Sequence, residues 1–257
     1  MKSTHWDKMS SDYFNQINSP FSKGIRNPIF KRLKSIKNSK NKSVLEIGCG
    51  TGTLIPFLSK NFKKVVAIDI SKQMIEKSKK ESEGLKNVEL KAMDALNIGR
   101  LKQEFDAIVC VNSLIMPNIV KINAILKKIN KSLKKNGWLI GIFPSFDSTI
   151  HQALITYDKE YEKRKDRRKA RIATSKILSF KRHDFVYGFV YANEAENRQK
   201  HYFRFELEYR LKKAGFLKIK IGKVHYPWSD FEDPEPSRFN DPIYEKMWDW
   251  AISARKM

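Results

Sequence analysis

From residue 43 onward, short apolar runs alternate with amphipathic stretches. Val44-Leu45-Glu46-Ile47, Val65-Val66-Ala67-Ile68 and Ala107-Ile108-Val109-Cys110-Val111 are near-continuous apolar runs, the pattern of parallel strands covered on both faces. Asn87–Met93 alternates as a further strand, and Trp138–Phe143 supplies a fifth. A helix over about 53–60 tolerates Pro56 in its first turn. The next, from Ser71 to about Glu83, turns Met74 and Ile75 inward and stops at Gly84. Over about 118–135, Ile122, Ile125, Leu126, Ile129 and Leu133 share one face opposite a row of lysines, with Asn136-Gly137 as a left-handed stop. This strand and helix alternation predicts a doubly wound α/β sheet.

The flanks of that core read differently. Residues 1–40 carry Trp6, Tyr13, Phe14, Phe21, Ile29 and Leu33 and are broken by Pro20 and Pro28, which predicts two or three short helices. Residues 147–200 divide into a helical part, 148–178, and a β-prone part in which Phe185, Tyr187, Phe189 and Tyr191 alternate toward one face. The cluster Lys163–Lys169 is interspersed with acids at helical spacing and reads as an exposed, salt-bridged helix. Phe203, Leu207, Leu211 and Ala214 mark a closing helix stopped by Gly215. Leu217, Ile219 and Ile221 then alternate in a strand running to about His225, and Met247–Arg255 follows a Pro-rich loop as the last strand.

At 257 residues the chain is long enough for one elaborated domain with a substantial core. The N-terminus has no apolar signal region, and no run approaches the roughly 18 apolar residues of a membrane span, so a cytoplasmic protein without membrane attachment is expected. Cys49 in a turn and Cys110 in a buried strand read as reduced thiols, and neither has metal-ligand spacing. The net charge of +23 raises a polyanionic partner. The excess is mostly lysine spread over every predicted helix, so a solvated basic surface is the primary reading and nucleic acid the second.

The candidate chemistry gathers at strand ends. Gly48, Gly50 and Gly52 follow the first strand at alternate positions, in a turn where backbone can approach a ligand and adopt positive φ. A dinucleotide Gly-x-Gly-x-x-Gly would need glycine at 53 or 55, where Thr53 and Ile55 stand. Asp69 ends the second strand about twenty residues on, where doubly wound folds place a carboxylate for ribose hydroxyls. Asp94 occupies the tip of the third.

Glu46-Ile-Gly-Cys-Gly-Thr-Gly52 resembles motif I of the class I S-adenosylmethionine (SAM) methyltransferases, and the order of elements from about residue 43 to the C-terminus is similar to theirs. The resemblance implies an α/β, doubly wound, Rossmann-like seven-stranded sheet with its last strand antiparallel. It also implies a helical cover over 1–40, a cofactor core over 43–146, an acceptor lid over 147–200 and a closing segment over 201–257, all in one domain spanning 1–257. By the same resemblance Gly48, Cys49, Gly50 and Gly52 face the cofactor's amino-acid portion, and Glu46 orders the loop. Asp69 and Ile70 lie at the ribose, Asp94 and Ala95 at the adenine, and Met74, Asn112 and Tyr13 complete the cofactor set.

The exit loop Asn112-Ser-Leu-Ile departs from the Asn/Asp-Pro-Pro-aromatic loop of amine-directed relatives. That departure and the aromatic insertion favour a small-molecule acceptor, with an RNA- or ribosome-directed enzyme and a non-catalytic SAM-binding module as alternatives. If the acceptor arrives protonated, His151 just beyond the fifth strand is the candidate general base, with His183 and His201 as substitutes.

Overall fold

The structure is a computed structural model describing residues 6–7, 19–178, 183–191, 198–227 and 245–257. Five parallel strands form the frame: β1 (Ser43–Ile47), β2 (Lys64–Asp69), β3 (Val88–Ala92), β4 (Phe105–Val111) and β5 (Leu133–Pro144). A short hairpin of β6 (Phe189–Tyr191) and β7 (Arg198–Lys200) stands apart. The chain then returns to the main sheet with β8 (Phe216–Tyr226) and β9 (Met247–Lys256). The seven-stranded order is β3-β2-β1-β4-β5-β9-β8, with β9 antiparallel to both neighbours, as the sequence resemblance implies.

Alternation along each strand assigns its side chains to two layers. Leu45, Val66, Ile108 and Leu139 point to one face, covered by α4 (Ile119–Ser132) and α7 (Arg204–Lys213). Val44, Val65, Ala107 and Ile140 point to the other, covered by α1 (Pro28–Lys34) and α2 (Ile55–Asn61). The helix α3 (Lys72–Glu81) seats Ile75 against Ala67 and Cys49. Thus α1 packs against the sheet, while Trp6 and Asp7, much earlier in the chain, are the described N-terminal residues that reach the carboxyl edge of the strands.

Three local expectations are corrected. First, α4 stops at Ser132, and Asn136 takes its left-handed φ of 63° inside the irregular start of β5, where Leu133 already pairs with Phe105. Burial of Leu133 extends the strand across what reads as a helix stop. Second, Lys163–Lys169, read as one exposed helix, spans the break between α5 (Phe146–Arg164) and α6 (Arg167–Ile177) in the helical part expected there. Lys165 turns left-handed at φ 50°, and Asp166 caps the second by accepting from Lys169 N at 2.9 Å. Third, Phe185 and Tyr187 lie in an exposed turn, and among the described residues of this part the strand covers 189–191.

In β8, a bulge between Leu217 and Lys220, with Lys218 at φ 49°, resets the alternation. It leaves Leu217 exposed while Phe216, Val224 and Tyr226 are buried. Tyr13, residues 192–197 and most of the Pro-rich loop lie outside the described residues.

Candidate active site

In a parallel sheet all strands end on one edge, so their exit loops converge there. After β1 the chain turns sharply: Gly48 N and Cys49 N both donate to Ile68 O, at 2.8 and 3.0 Å. Gly48, Gly50 and Gly52 have φ of 70, 55 and 95°, left-handed values that a Cβ disfavours. Space imposes a second requirement, because a Cβ on Gly48 would lie 2.3 Å from Ser113 Cβ in the β4 exit loop.

Asp69, at the tip of β2, pins this turn. Its Oδ2 accepts from Gly50 N at 3.0 Å and its Oδ1 from Ser71 N at 2.8 Å. Burial raises the pKa of its carboxyl, and these amides offset only part of the rise. From α3, Ser78 Oγ donates to Gly50 O at 2.7 Å. The loop is therefore held by Asp69 and Ser78. Glu46, expected to order it, accepts no hydrogen bond from a described residue; its Oε2 is buried and unpartnered. Burial, and then the neighbouring Asp69, push its pKa up to about 8.

A cavity of ≈ 380 Å³ opens beside the turn. Gly48, Gly50, Asp69, Asp94 and Ala95 line it, and Ile70, Met74, Met93 and Met116 supply apolar wall. Asp94 Oδ1 accepts from Leu96 N at 2.8 Å, and Oδ2 lies 3.6 Å from Lys121 Nζ. Asn112, at φ 46°, also lines the cavity. Its Nδ2 donates to Asp249 Oδ2 at 3.3 Å, leaving Oδ1 buried without a partner.

This edge carries the fingerprint of a known domain family, since the methyltransferase domain profile matches residues 44–137. Those residues match a methyltransferase domain. The chain is 40% identical over 77 residues to ribosomal RNA small subunit methyltransferase A of Mycoplasmopsis synoviae, covering 30% of this chain and 29% of that protein. The chain is 33% identical over 129 residues to a ubiquinone biosynthesis O-methyltransferase of Pelagibacter ubique, covering 50% of each. The chain thus spans half or less of these two relatives. Magnesium protoporphyrin IX methyltransferase of Synechocystis PCC 6803, solved with bound S-adenosylhomocysteine, superposes with TM-score 0.60 over 99% of both chains at 15% identity, a likeness of fold.

Of the expected residues, the methyltransferase domain brings Gly48, Gly50, Asp69, Ile70, Met74, Asp94, Ala95 and Asn112 to one cavity. The side chain of Cys49 turns away to Ser78 Oγ at 3.7 Å, and burial raises its pKa. Gly52 instead gives room to α3, since a Cβ there would lie 3.1 Å from Ser78 Cα. His151 stands outside the cavity lining, with Nε2 2.9 Å from Glu245 O and its ring against Trp248. His201 is half-buried, with Nδ1 enclosed, and desolvation lowers its pKa to about 3.

Sequence reading missed Trp6, Ser113, Met93 and Met116 in the wall, and Asp249 behind Asn112. Asp249 accepts from Tyr226 Oη at 2.8 Å; burial lifts its pKa to about 6 against the opposing pull of Tyr226, Asn112 and the Ser145 N–H. Asp249 lies 137 positions from Asn112, so no local pattern joins them.

Proposed function

We propose that the chain is a SAM-dependent methyltransferase acting on a small molecule. One observation carries the reading: Asp69 and Asp94, at successive strand tips, share a cavity with the backbone of Gly48 and Gly50. Carboxylates spaced along such a cavity suit a nucleoside, with hydroxyls at one acid and an exocyclic amine at the other. The unpartnered Glu46 Oε2 beneath the turn suits a cationic amino-acid tail nearby, and the apolar wall at Met74 and Met116 suits the remaining hydrocarbon and ring surface.

The bound cofactor supplies a methyl group on a positively charged sulfur, transferred in line to a nucleophile. In this reading Asp69 and Asp94 orient the nucleoside, and the Gly48–Gly50 backbone closes on the amino-acid end without side chains between. Met74, Ile115 and Met116 exclude water from the reacting region. Asn112 stands at the β4 exit with an acceptor oxygen to offer, while Asp249 fixes its amide nitrogen.

The quinone-directed relatives support a small acceptor, and the two helices and hairpin inserted after β5 supply material for an acceptor lid. The charge of +23 and the ribosomal RNA relative favour RNA as the second reading.

Incubation with methyl-labelled SAM and, separately, a small-metabolite extract and total RNA tests the choice. Label in the metabolite fraction is expected. Label confined to RNA, with steep salt dependence, would establish the second reading instead. Tight SAM binding with no label in either fraction would point to a non-catalytic SAM-binding module.

A further inference from the structure

A second cavity, of ≈ 420 Å³, lies at the amino edge of the sheet, the end opposite the strand exits. It forms where Lys42 enters β1, β4 begins at Phe105, the irregular start of β5 turns at Asn136, and β9 ends. Lys37, Lys42, Lys135 and Arg255 line it together with the indole of Trp138.

The charge balance of this wall is one-sided. Asp106 is its one carboxylate among the described residues, and that group is already committed. Its Oδ2 accepts from Ser43 N and from Lys134 Nζ, each at 2.9 Å. Burial alone would raise the Asp106 pKa, but these two donors hold it below the ordinary value. Arg255 Nε donates to Asn136 O at 3.1 Å, and its guanidinium lies over Trp138, 5.2 Å from the ring centroid. That anchoring leaves the guanidinium NH₂ groups available. The Lys37, Lys42 and Lys135 ammonium groups form no ion pair with a described residue.

Cations on a convex surface are dispersed and solvated, whereas cations around a concavity with a low-dielectric wall focus their field inward. An anion bound in the hollow relieves their mutual repulsion.

We infer that this cavity binds a compact polyphosphate group. Four cations match the three to four negative charges of a di- or triphosphate chain, and Arg255, braced on Trp138, offers the planar donor pair that recognises phosphate oxygens. The site is separate from the cofactor cavity and independent of the methyl-transfer reading, since the two share no lining residue.

Calorimetric titration of the full chain with inorganic tripolyphosphate at low salt tests this. A saturable one-to-one isotherm is expected, weakened by added salt because the contacts are electrostatic. The double variant Lys42→Glu/Lys135→Glu should lose at least about tenfold in affinity, since it replaces two charge-assisted contacts by repulsion. The control Lys80→Glu/Lys86→Glu changes net charge equally, on exposed lysines outside the cavity, and should bind like the parent. Unchanged melting temperature and S-adenosylhomocysteine affinity in both variants separate a lost site from a damaged fold. ATP in parallel distinguishes the sources: tighter binding than tripolyphosphate identifies a nucleotide stacked at Trp138, and equal binding identifies phosphate alone. Equal weakening by the two double variants, or no saturable binding by the parent, would overturn the inference.

Discussion

Glu46 and Asp69 are neighbouring buried acids with opposite provision. Asp69 is held by the amides of Gly50 and Ser71, whereas Glu46 Oε2 has nothing to accept from. An acid whose pKa rises on folding keeps its proton in the folded state after the unfolded chain has lost it. The Glu46 carboxyl therefore makes stability fall as pH rises from 4.5 through about 8. Glu46→Gln should flatten that slope, so thermal melts of parent and variant should converge at low pH and separate at high pH, the variant being more stable.

Asp69→Ala removes a proposed ribose acceptor and unpins Gly50. Affinity for S-adenosylhomocysteine should drop by about 1–3 kcal/mol in calorimetry, with unchanged affinity in a folded variant removing the assignment. Gly48→Ala would force a Cβ into Ser113 at positive φ and should cost roughly 2–5 kcal/mol in denaturant unfolding.

Elements carry these residues to their places. Helix α3 is capped by Ser71, whose Oγ accepts from Met74 N at 3.1 Å and donates to Asp7 Oδ1 at 2.5 Å. One hydroxyl thus caps the helix that delivers Ser78 to the glycine turn and ties down an N-terminal residue beside Trp6. Ser71→Ala should cost about 1 kcal/mol of stability from the lost cap, and it should weaken cofactor affinity further if Trp6 helps close the cavity. Proteolysis at the N-terminal segment, with and without S-adenosylhomocysteine, reads the second effect.

The strand and helix periods of this core were legible because burial on both faces enforces apolar runs. The bulge in β8 and the extension of β5 to Leu133 were not, because each depends on register with a neighbouring strand.

Across the whole molecule, the hairpin β6–β7 is joined to helix α7 by a charge network around the buried Lys200. Lys200, 0% exposed, donates to Glu206 Oε2 at 2.7 Å and to His201 O at 2.6 Å, while Arg210 pairs with the other oxygen of Glu206. Desolvation lowers the Lys200 pKa, opposed by Glu206. Glu206→Gln would leave both cations underpaired and should cost roughly 3–5 kcal/mol. Lys200→Met keeps the Glu206–Arg210 pair and should cost clearly less. Equal losses in chemical denaturation would mean that the lysine, and not the carboxylate, holds the network together.

The glycine turn, Asp69 and Asp94 were readable from sequence because each sits beside a strand end whose position is fixed by local pattern. The resemblance of Glu46–Gly52 to a known motif, with these strand tips in order after it, implied a shared site, and parallel strands all finish on one edge. The tertiary structure alone decided that Cys49 turns away, that His151 lies against Trp248 outside the cavity lining, and that Asp249 stands behind Asn112. It also gathered Lys37, Lys42, Lys135 and Arg255 around one hollow. Local sequence specifies where an element ends and which face is apolar; the meeting of residues more than a hundred positions apart depends on how the sheet closes, which no short-range pattern records.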